Sequence, residues 1–306
     1  MDYIQNNNIS NSILIIGNGF DLDLGIKTKY IDFANSEYWP FKERFSFEEN
    51  TLPFFLNSRK NKVETWFDLE ELLAKFARDN SILSKEKINE TMRNFEILKK
   101  KLKEYLEKQE EVFFEKMKKK THTQRMKSSH SILQDFLDRQ NRKIYSFNYT
   151  NTQKIAKNLI LDFKDNVTHI HGSIKENNII LGTGDQRDIP DPFFQFYKSA
   201  SPNYSSNNLV EDLNNADKIY IFGHSLGRND HDYFSDFFKM ASSNPKTPLY
   251  SKKIKIRIFT YDNNSEIDIK KQLMALTNRH LTGLFAHCDF KIIKTSLGNL
   301  KLEDLI

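Results

Sequence analysis

Four short polar motifs in this sequence carry residues that could do chemistry, and each of them follows a hydrophobic run. They are GNGFD (17–21), FNYT (147–150), HIHGS (169–173) and FGHSLG (222–227). Ligands of open α/β sheets bind in the crevice at the carboxyl ends of the strands. Because all four motifs stand at predicted strand ends, they predict a ligand site at that edge of a sheet.

The first motif follows a strand and opens a helix, an arrangement in which backbone N–H groups of a Gly-x-Gly turn can face phosphate. The ligand contacts predicted here are Gly17, Asn18, Gly19 and Phe20. Leu22 stands where the dinucleotide fingerprint has its third glycine. Asp21 could accept a hydrogen bond from a ribose or fix a water molecule. The alternative is a tight strand–helix turn in which Asp21 caps the helix.

The second and third motifs supply an amide and two imidazoles. Asn148 directly follows a strand and could contact a ribose or a water molecule. His169 and His171 alternate with Ile170, so on a strand they share one face. No acidic residue has metal-ligand spacing with them, and we predict no metal. His171 comes immediately before Gly172, where a general base could meet a ligand; a purely structural histidine is the alternative.

The fourth motif contains G-x-S-x-G after a strand, as in the nucleophile elbow of α/β-hydrolases. This pattern predicts Ser225 as a nucleophile. Asp262, with His280 or His287, could supply the acid and the base. The alternative is a glycine turn in which Ser225 binds a ligand through hydrogen bonds. The hydrolase hypothesis leaves the other three motifs without a function.

Alternating strand and helix patterns must position these motifs. Strands are predicted at 12–17, 143–147, 167–171, 179–182, 218–223, 254–261 and 290–294. One helix is predicted over 19–34 and a long loop over 190–208. The alternation predicts an α/β fold with a mainly parallel sheet flanked by helices. The region 61–140 has a helical period with exposed Lys and Glu, so we predict an inserted helical subdomain within a core formed by 1–60 and 141–306.

Composition limits the class of protein. The chain has 306 residues and a formal net charge of +5, which is only weak support for a nucleic-acid partner. Its single cysteine, Cys288, excludes an intramolecular disulfide and any site that needs two thiolates. The sequence has no 18-residue apolar run and no apolar signal core, so we expect a cytoplasmic protein with no membrane association. Only 10 residues are Gly, and eight of them lie in four clusters beside the polar residues.

The motifs together resemble the AbiH family of bacteriophage abortive-infection proteins. The resemblance rests, in chain order, on IIGNGFDLDLGIKTKYIDF, WFDLE (66–70), SFNYT, HIHGS, LGTGD (181–185) and IFGHSLGRND, which span residues 13–230. It implies a small cytoplasmic bacterial protein with a role in defence against phage. The trigger and any partner protein are not implied by it.

The order of the motifs is also similar, more distantly, to the sirtuin-like NAD-binding superfamily. This resemblance implies a Rossmann-like sheet with NAD as substrate or ligand. Asn148 would hold the nicotinamide ribose or a water molecule, and His171 would act as the base or orient that ribose. Asp21 would replace an acidic ribose partner that is absent at Thr150. The remaining ligand contacts implied are Gly17, Asn18, Gly19, Phe20, Gly172, Gly223, His224, Ser225 and Asp230.

These resemblances together imply an anti-phage protein that binds NAD and cleaves it as an NAD glycohydrolase. Deacetylation is not expected, because one cysteine cannot build the four-cysteine zinc ribbon of the deacetylases in that superfamily. Two alternatives stay open: a serine hydrolase that uses Ser225, and a non-catalytic nucleotide sensor or nucleic-acid-acting module. In the sensor hypothesis the helical insertion contacts a partner, and the same insertion could mediate homo-oligomerisation.

Overall fold

A single parallel sheet forms the centre of the structure, a computed structural model that describes residues 10–42, 48–60, 66–119, 127–139, 141–160, 162–243 and 253–296. The strands are β1 (Ser12–Ile16), β2 (Arg142–Ser146), β3 (Val167–His169), β4 (Lys218–Phe222), β5 (Lys255–Thr260) and β6 (Asp289–Lys294). Their order across the sheet is β3-β2-β1-β4-β5-β6, and every neighbouring pair is parallel. This is the doubly wound strand order of dinucleotide-binding folds, and it confirms the predicted Rossmann-like α/β fold.

The central strands form because their residues are apolar on both faces. All five residues of β1, SILII, are buried, as expected for a parallel strand that is covered by helices on both sides. Six of the seven predicted strands are present, but the third ends early, at His169. The strand predicted at 179–182 is wrong: those apolar residues lie in a buried loop, and only an isolated bridge between Thr183 and Tyr197 forms next to it.

Eleven helices lie within the described residues. They are α1 (Asn18–Leu24), α2 (Tyr30–Ala34), α3 (Leu52–Arg59), α4 (Trp66–Asp79), α5 (Lys85–Lys118), α6 (Ser128–Leu137), α7 (Thr152–Leu159), α8 (Leu209–Asn215), α9 (His231–Ser243), α10 (Asn263–Leu276) and α11 (Leu281–His287). The single helix predicted over 19–34 is two helices, because Gly25 ends α1 in a left-handed conformation with φ 83°. The predicted loop over 190–208 contains two short 3₁₀ helices, Asp191–Phe196 and Lys198–Ala200.

Apolar clusters cover both faces of the sheet. Alternate residues of β1 point to opposite faces. Ile13 and Ile15 join a cluster with residues of α8, α9, α10 and α11, which also contains the buried Cys288. Leu14 and Ile16 join a second cluster with residues of α6 and α7. The sheet is therefore buried on both sides, and its carboxyl edge is left for a ligand.

A third apolar cluster lies beside the carboxyl edge of the sheet. It unites α2, α3, α4 and α5 with the 3₁₀ segment that carries Phe193 and Phe196. Its long helix α5 carries surface ion pairs such as Lys101–Glu104 and Lys108–Glu111. Among the described residues, no helix combines the length and the apolar character that crossing a membrane requires. The division into a core and an insertion at 61–140 stays a prediction.

Candidate functional site

A cavity opens at the carboxyl ends of β1 and β4, where the strand order reverses. This is the position at which doubly wound sheets bind their ligands. The cavity has a volume of about 790 Å³, within the range of about 300–1,000 Å³ that is usual for small-molecule sites. All four polar motifs contribute to its wall, together with α4, the second 3₁₀ helix and the start of α10. The four motifs therefore meet at one edge of the sheet.

The two glycine turns at the base of the cavity pack against each other. A Cβ on Gly19 would lie 2.5 Å from the Cα of Gly223, and a Cβ on Gly17 would lie 2.5 Å from the Cα of His224. The Gly19 N–H donates to the carbonyl oxygen of Gly223 at 2.9 Å, and Gly223 has φ 64°. Only glycine fits such a contact. The turns predicted to approach a phosphate are thus explained by the close approach of the protein's own backbone.

Asp21 is buried in one wall of the cavity and is held by neutral donors. The Asn148 Nδ2 donates to its Oδ1 at 3.0 Å, and the Thr150 hydroxyl donates to its Oδ2 at 2.7 Å. Burial raises the pKa of Asp21 to about 7, although both hydrogen bonds favour the ionised form. Asp21 does not cap α1, because the N-cap residue is Gly17. The carboxyl group therefore changes charge near neutral pH.

Asn148 connects the ends of three strands. Its Nδ2 also donates to the Gly17 carbonyl oxygen at 3.1 Å, and its own carbonyl oxygen lies 3.0 Å from the His169 Nδ1. The expectation that His169 and His171 share a strand face is wrong, because β3 ends at His169 and His171 lies in the following turn. Of the two histidines, His171 lines the cavity.

His171 belongs to a cluster of mostly buried ionisable side chains that forms a second part of the cavity wall. Its Nε2 lies 3.2 Å from the Asp230 Oδ1 and 3.4 Å from the Lys198 Nζ. The Lys198 Nζ lies 2.9 Å from the same Asp230 oxygen and 3.1 Å from the Glu70 Oε1. The His224 Nε2 lies 3.4 Å from the Asp230 Oδ2. We call these five residues, Glu70, His171, Lys198, His224 and Asp230, the Lys198 cluster.

The charges of the Lys198 cluster follow from burial and from its one ammonium group. Burial and the neighbouring Lys198 lower the pKa of His171 to about 4. Burial opposes ionisation of Asp230, but Lys198 and His171 outweigh it and hold the pKa of this carboxyl well below its usual range. Burial also opposes the charge of Lys198, but Asp230 and Glu70 raise its pKa above the ordinary value. At neutral pH His171 is therefore uncharged between an ionised Asp230 and a charged Lys198.

Glu70 and Lys198 were not predicted as site residues. Glu70 is the last residue of the WFDLE segment, which the family resemblance included without a role. Lys198 stands alone in a predicted loop, with no local pattern to mark it. Thr150 was read as a departure from a motif, but it is a partner of Asp21. Among the described residues, no group of three or more His, Cys, Asp or Glu side chains has the arrangement of a metal site.

Most of the other predicted ligand contacts line the cavity, and two of them lie outside it. Asn18, Gly17, Gly19, Gly223, His224, Ser225 and Asp230 line the cavity. Phe20 does not, because it is buried in the apolar cluster beneath the sheet. Gly172 does not either: it has φ 71° and packs against the backbone of Asn178. Phe20 and Gly172 therefore support the site from outside the cavity.

Ser225 lies exposed at the cavity rim, and the geometry around it differs from a catalytic triad. The non-glycine residue with a positive φ in this turn is Leu226, at 51°, and not Ser225. The neighbouring His224 accepts a hydrogen bond from the Leu226 N–H through its Nδ1 at 3.0 Å. The predicted acid, Asp262, caps α10 by accepting from the N–H and the hydroxyl of Ser265. The acid that a triad would need is thus engaged elsewhere.

Comparison with known proteins identifies the family. The family model described as bacteriophage abortive infection AbiH matches residues 13–251. The chain belongs to the AbiH family. The match extends from β1 past α9, and so it includes the four motifs and the whole Lys198 cluster. No curated protein matches the chain.

Family membership confirms the AbiH resemblance that the motifs carry, and it assigns the chain to antiviral defence by abortive infection. The more distant sirtuin-like resemblance is not confirmed by these comparisons and stays a prediction. The chemistry at the cavity must therefore be argued from its own residues.

Proposed function

We propose that this AbiH-family protein binds NAD in the cavity and hydrolyses the bond between nicotinamide and ribose. The observation that carries the proposal is the pairing of Asp21, held by Asn148 and Thr150, with an uncharged His171 in one cavity. The Asp21 carboxylate can stabilise a cation, and the His171 imidazole can accept a proton. Hydrolysis of a nucleotide at a sugar carbon needs a group of each kind.

The polarity of the cavity supports a ligand that carries a positive charge. Its ionisable wall residues include four carboxyl groups, on Asp21, Glu70, Asp230 and Asp268, and one ammonium group, on Lys198. The nicotinamide ring of NAD is cationic, so a wall of this composition attracts it. Across the cavity, the Thr260 hydroxyl is buried without a hydrogen-bond partner within the described part of the chain. A polar group of the ligand would satisfy it.

In the proposed reaction the bond between the ribose C1′ and the nicotinamide nitrogen breaks with both electrons moving to nicotinamide. Nicotinamide leaves as a neutral molecule, so this step needs no general acid. Positive charge develops on the ribose, and an ionised carboxylate in a buried site stabilises it strongly. Asp21 supplies that carboxylate above about pH 7, where it is ionised.

Water then adds to C1′, and its proton must go to a base. His171 is uncharged at neutral pH, so it can accept that proton. Asp230 contacts the His171 Nε2 at 3.2 Å and would stabilise the imidazolium as it forms. The products are nicotinamide, ADP-ribose and one proton, so atoms and charge balance.

The test is incubation of the purified protein with NAD, followed by chromatography for nicotinamide and ADP-ribose. We expect both products from the parent chain and neither from the His171→Ala or Asn148→Ala variants. The matched control is His280→Ala, which removes an exposed histidine outside the cavity and should leave the rate unchanged. Release at the parental rate by the His171→Ala variant would show that the assignment is wrong.

The same preparation separates the two alternatives. Labelling by a fluorophosphonate probe that is lost in the Ser225→Ala variant would favour the serine hydrolase. Saturable NAD binding by the parent chain without product would favour a nucleotide sensor. The geometry around Ser225 favours neither labelling nor a serine mechanism.

A further inference from the structure

The LGTGD segment (181–185) is a motif that the proposed reaction does not use, yet it holds the backbone beneath Lys198. The Thr183 N–H donates to the Phe196 carbonyl oxygen at 2.8 Å, and the Lys198 N–H donates to the Thr183 carbonyl oxygen at 2.9 Å. A Cβ on Gly182 would lie 2.4 Å from the Phe196 carbonyl oxygen. The segment therefore fixes the start of the 3₁₀ helix that carries Lys198.

The same segment packs against the turn that carries Asp230. A Cβ on Gly184 would lie 2.8 Å from the carbonyl oxygen of Asn229. The Asn229 side chain donates in turn to the Glu70 Oε2 at 2.7 Å. One loop thus sets the positions of Lys198 and Asp230, and Asn229 ties both to helix α4 through Glu70.

The ammonium group at the centre of these contacts is fully enclosed. The Lys198 side chain is only 5% exposed and the Glu70 side chain only 8% exposed. A buried charge is costly unless it is paired and hydrogen-bonded. Lys198 contacts two carboxyl groups for this purpose: Asp230, which is ionised, and Glu70, whose pKa burial raises to about 7. An enclosed, paired ammonium keeps its charge, so it acts as a fixed positive charge beside the His171 ring.

We infer that Lys198 and Glu70 are positioning residues for His171: Glu70 holds the Lys198 ammonium against the Asp230–His171 pair, and the ammonium is a fixed positive charge at the Nε2 edge of the ring. The inference rests on the proposed function for the reaction that it serves. Two groups contact the ring at Nε2: the Asp230 Oδ1 at 3.2 Å and the Lys198 Nζ at 3.4 Å. The charge of each therefore acts directly on the imidazole.

Other groups around the ring are consistent with this assignment. The titratable and charged side chains that face His171 or lie directly behind its neighbours are Glu70, Tyr149, Lys198, His224, Asp230 and Tyr233. Tyr149 and Tyr233 are neutral at physiological pH, because burial raises the pKa of each above its ordinary value. Lys198 is thus the one fixed positive charge in this set.

The test uses the full chain with ¹⁵N-labelled histidine and follows the His171 ring nitrogens by NMR as a function of pH, without NAD. The parent should show an imidazole that stays neutral down to about pH 5. In the Lys198→Met variant we expect the titration midpoint of His171 to rise by at least one pH unit. An unchanged midpoint in the folded variant would overturn the inference.

A second variant keeps the inference testable if Lys198→Met does not fold. Glu70→Gln keeps the shape of the side chain and can still accept from Asn229, but it removes the charge that holds Lys198. We expect a changed titration midpoint of His171 and at least a fivefold loss of kcat for nicotinamide release, with KM for NAD within threefold of the parent value. The parental midpoint together with the parental kcat would overturn the inference.

The control is Asp289→Asn, which removes the carboxylate partner of another buried cation, Arg257, outside the cavity. It should change neither the His171 spectrum nor kcat. If the parent chain releases no nicotinamide, the proposed function fails, while the titration midpoint of His171 still decides the positioning roles. The two failures are therefore distinguishable.

Discussion

Two aspartates line one cavity and differ in their partners. Asp21 accepts hydrogen bonds from the neutral groups of Asn148 and Thr150. Asp230 lies 2.9 Å from the Lys198 ammonium. Asp21 is buried and the Asp230 side chain is 15% exposed; the pKa of Asp21 is raised to about 7, and the pKa of Asp230 is held well below its usual range. The comparison shows that neutral donors do not offset the burial of Asp21, whereas direct contact with an ammonium outweighs desolvation at Asp230. Glu70 also contacts Lys198, but burial and the nearby Asp230 charge raise its pKa to about 7.

Because of this difference, the two carboxyl groups can have different roles in the site. Asp230 and Lys198 keep their charges around neutral pH, so they can hold His171 in one state, whereas burial raises the pKa of their neighbour Glu70 to about 7. The Asp21 wall changes charge near pH 7, so it can control whether the cavity stabilises a cation. Environments that separate the protonation states of two carboxyl groups are a common basis for acid–base roles in enzymes.

The largest expected effect comes from removing the cation. Lys198→Met leaves Glu70 and Asp230 buried without their ammonium partner, which is expected to lower the free energy of unfolding by about 3–5 kcal/mol. Denaturant unfolding at pH 7 measures this loss. The double variant Glu70→Gln/Lys198→Met removes one of the stranded charges and should recover part of it. A loss below about 1 kcal/mol would mean that the Lys198 ammonium contributes little to stability, and it would contradict the proposed contrast between the two walls.

At the Asp21 wall, removal of the charge is expected to raise the free energy of unfolding instead of lowering it. The pKa of Asp21 is higher in the folded chain than in the unfolded chain, so the native state binds more protons between about pH 4 and pH 7. The free energy of unfolding therefore falls as the pH rises through that window. Asp21→Asn removes this cost and should stabilise the protein at pH 8 by up to about 4 kcal/mol, with little effect near pH 4.

Asp230→Asn is the matched control, measured by the same unfolding curves. Its lowered pKa makes the ionised form stabilising above the unfolded pKa, with that stability lost as the pH falls through the folded pKa. The variant should therefore be less stable than the parent at pH 8. Shifts of the same sign for Asp21→Asn and Asp230→Asn would remove the contrast on which the account depends.

A smaller effect is expected where the two walls meet. Gly19→Ala places a methyl group 2.5 Å from the Gly223 Cα and must push the β1 and β4 turns apart. We expect a loss of about 1–3 kcal/mol in the free energy of unfolding and weaker NAD binding, because the walls separate. In Gly25→Ala the new Cβ meets nothing within 4 Å, so only backbone strain of about 1 kcal/mol is expected. NAD binding at the parental affinity by Gly19→Ala would contradict this role.

The smallest effect concerns one hydrogen bond. Thr150→Val removes a donor that favours the ionised form of Asp21, so the pKa of Asp21 should rise above about 7 by about one unit. Carboxyl ¹³C NMR of the aspartates measures this shift. The titration of His171 belongs to the other wall and should not move. Equal shifts at both residues would show that the walls are coupled.

Local patterns were sufficient to predict the strands and the edge where the motifs meet, because a buried parallel strand is a short apolar run that ends in a turn. The apolar run at 179–182 gave the same signal but lies in a loop, since burial alone does not show whether a strand partner is present. Lys198 and Glu70 could not be predicted, because their contact joins distant segments through the packing of α4 against the 3₁₀ helices. The glycine clusters were located correctly, but the need for Gly19 and Gly223 is visible only when the two turns are seen in contact.

The most direct test is the rate of nicotinamide release from NAD between pH 5.5 and 8.5, measured for the parent chain and for Asp21→Asn. The account predicts a rate for the parent that rises through about pH 7, as Asp21 ionises, and a loss of that rise with most of the rate in the variant. Absence of nicotinamide from the parent reaction, or the same pH profile and rate in Asp21→Asn, would contradict it.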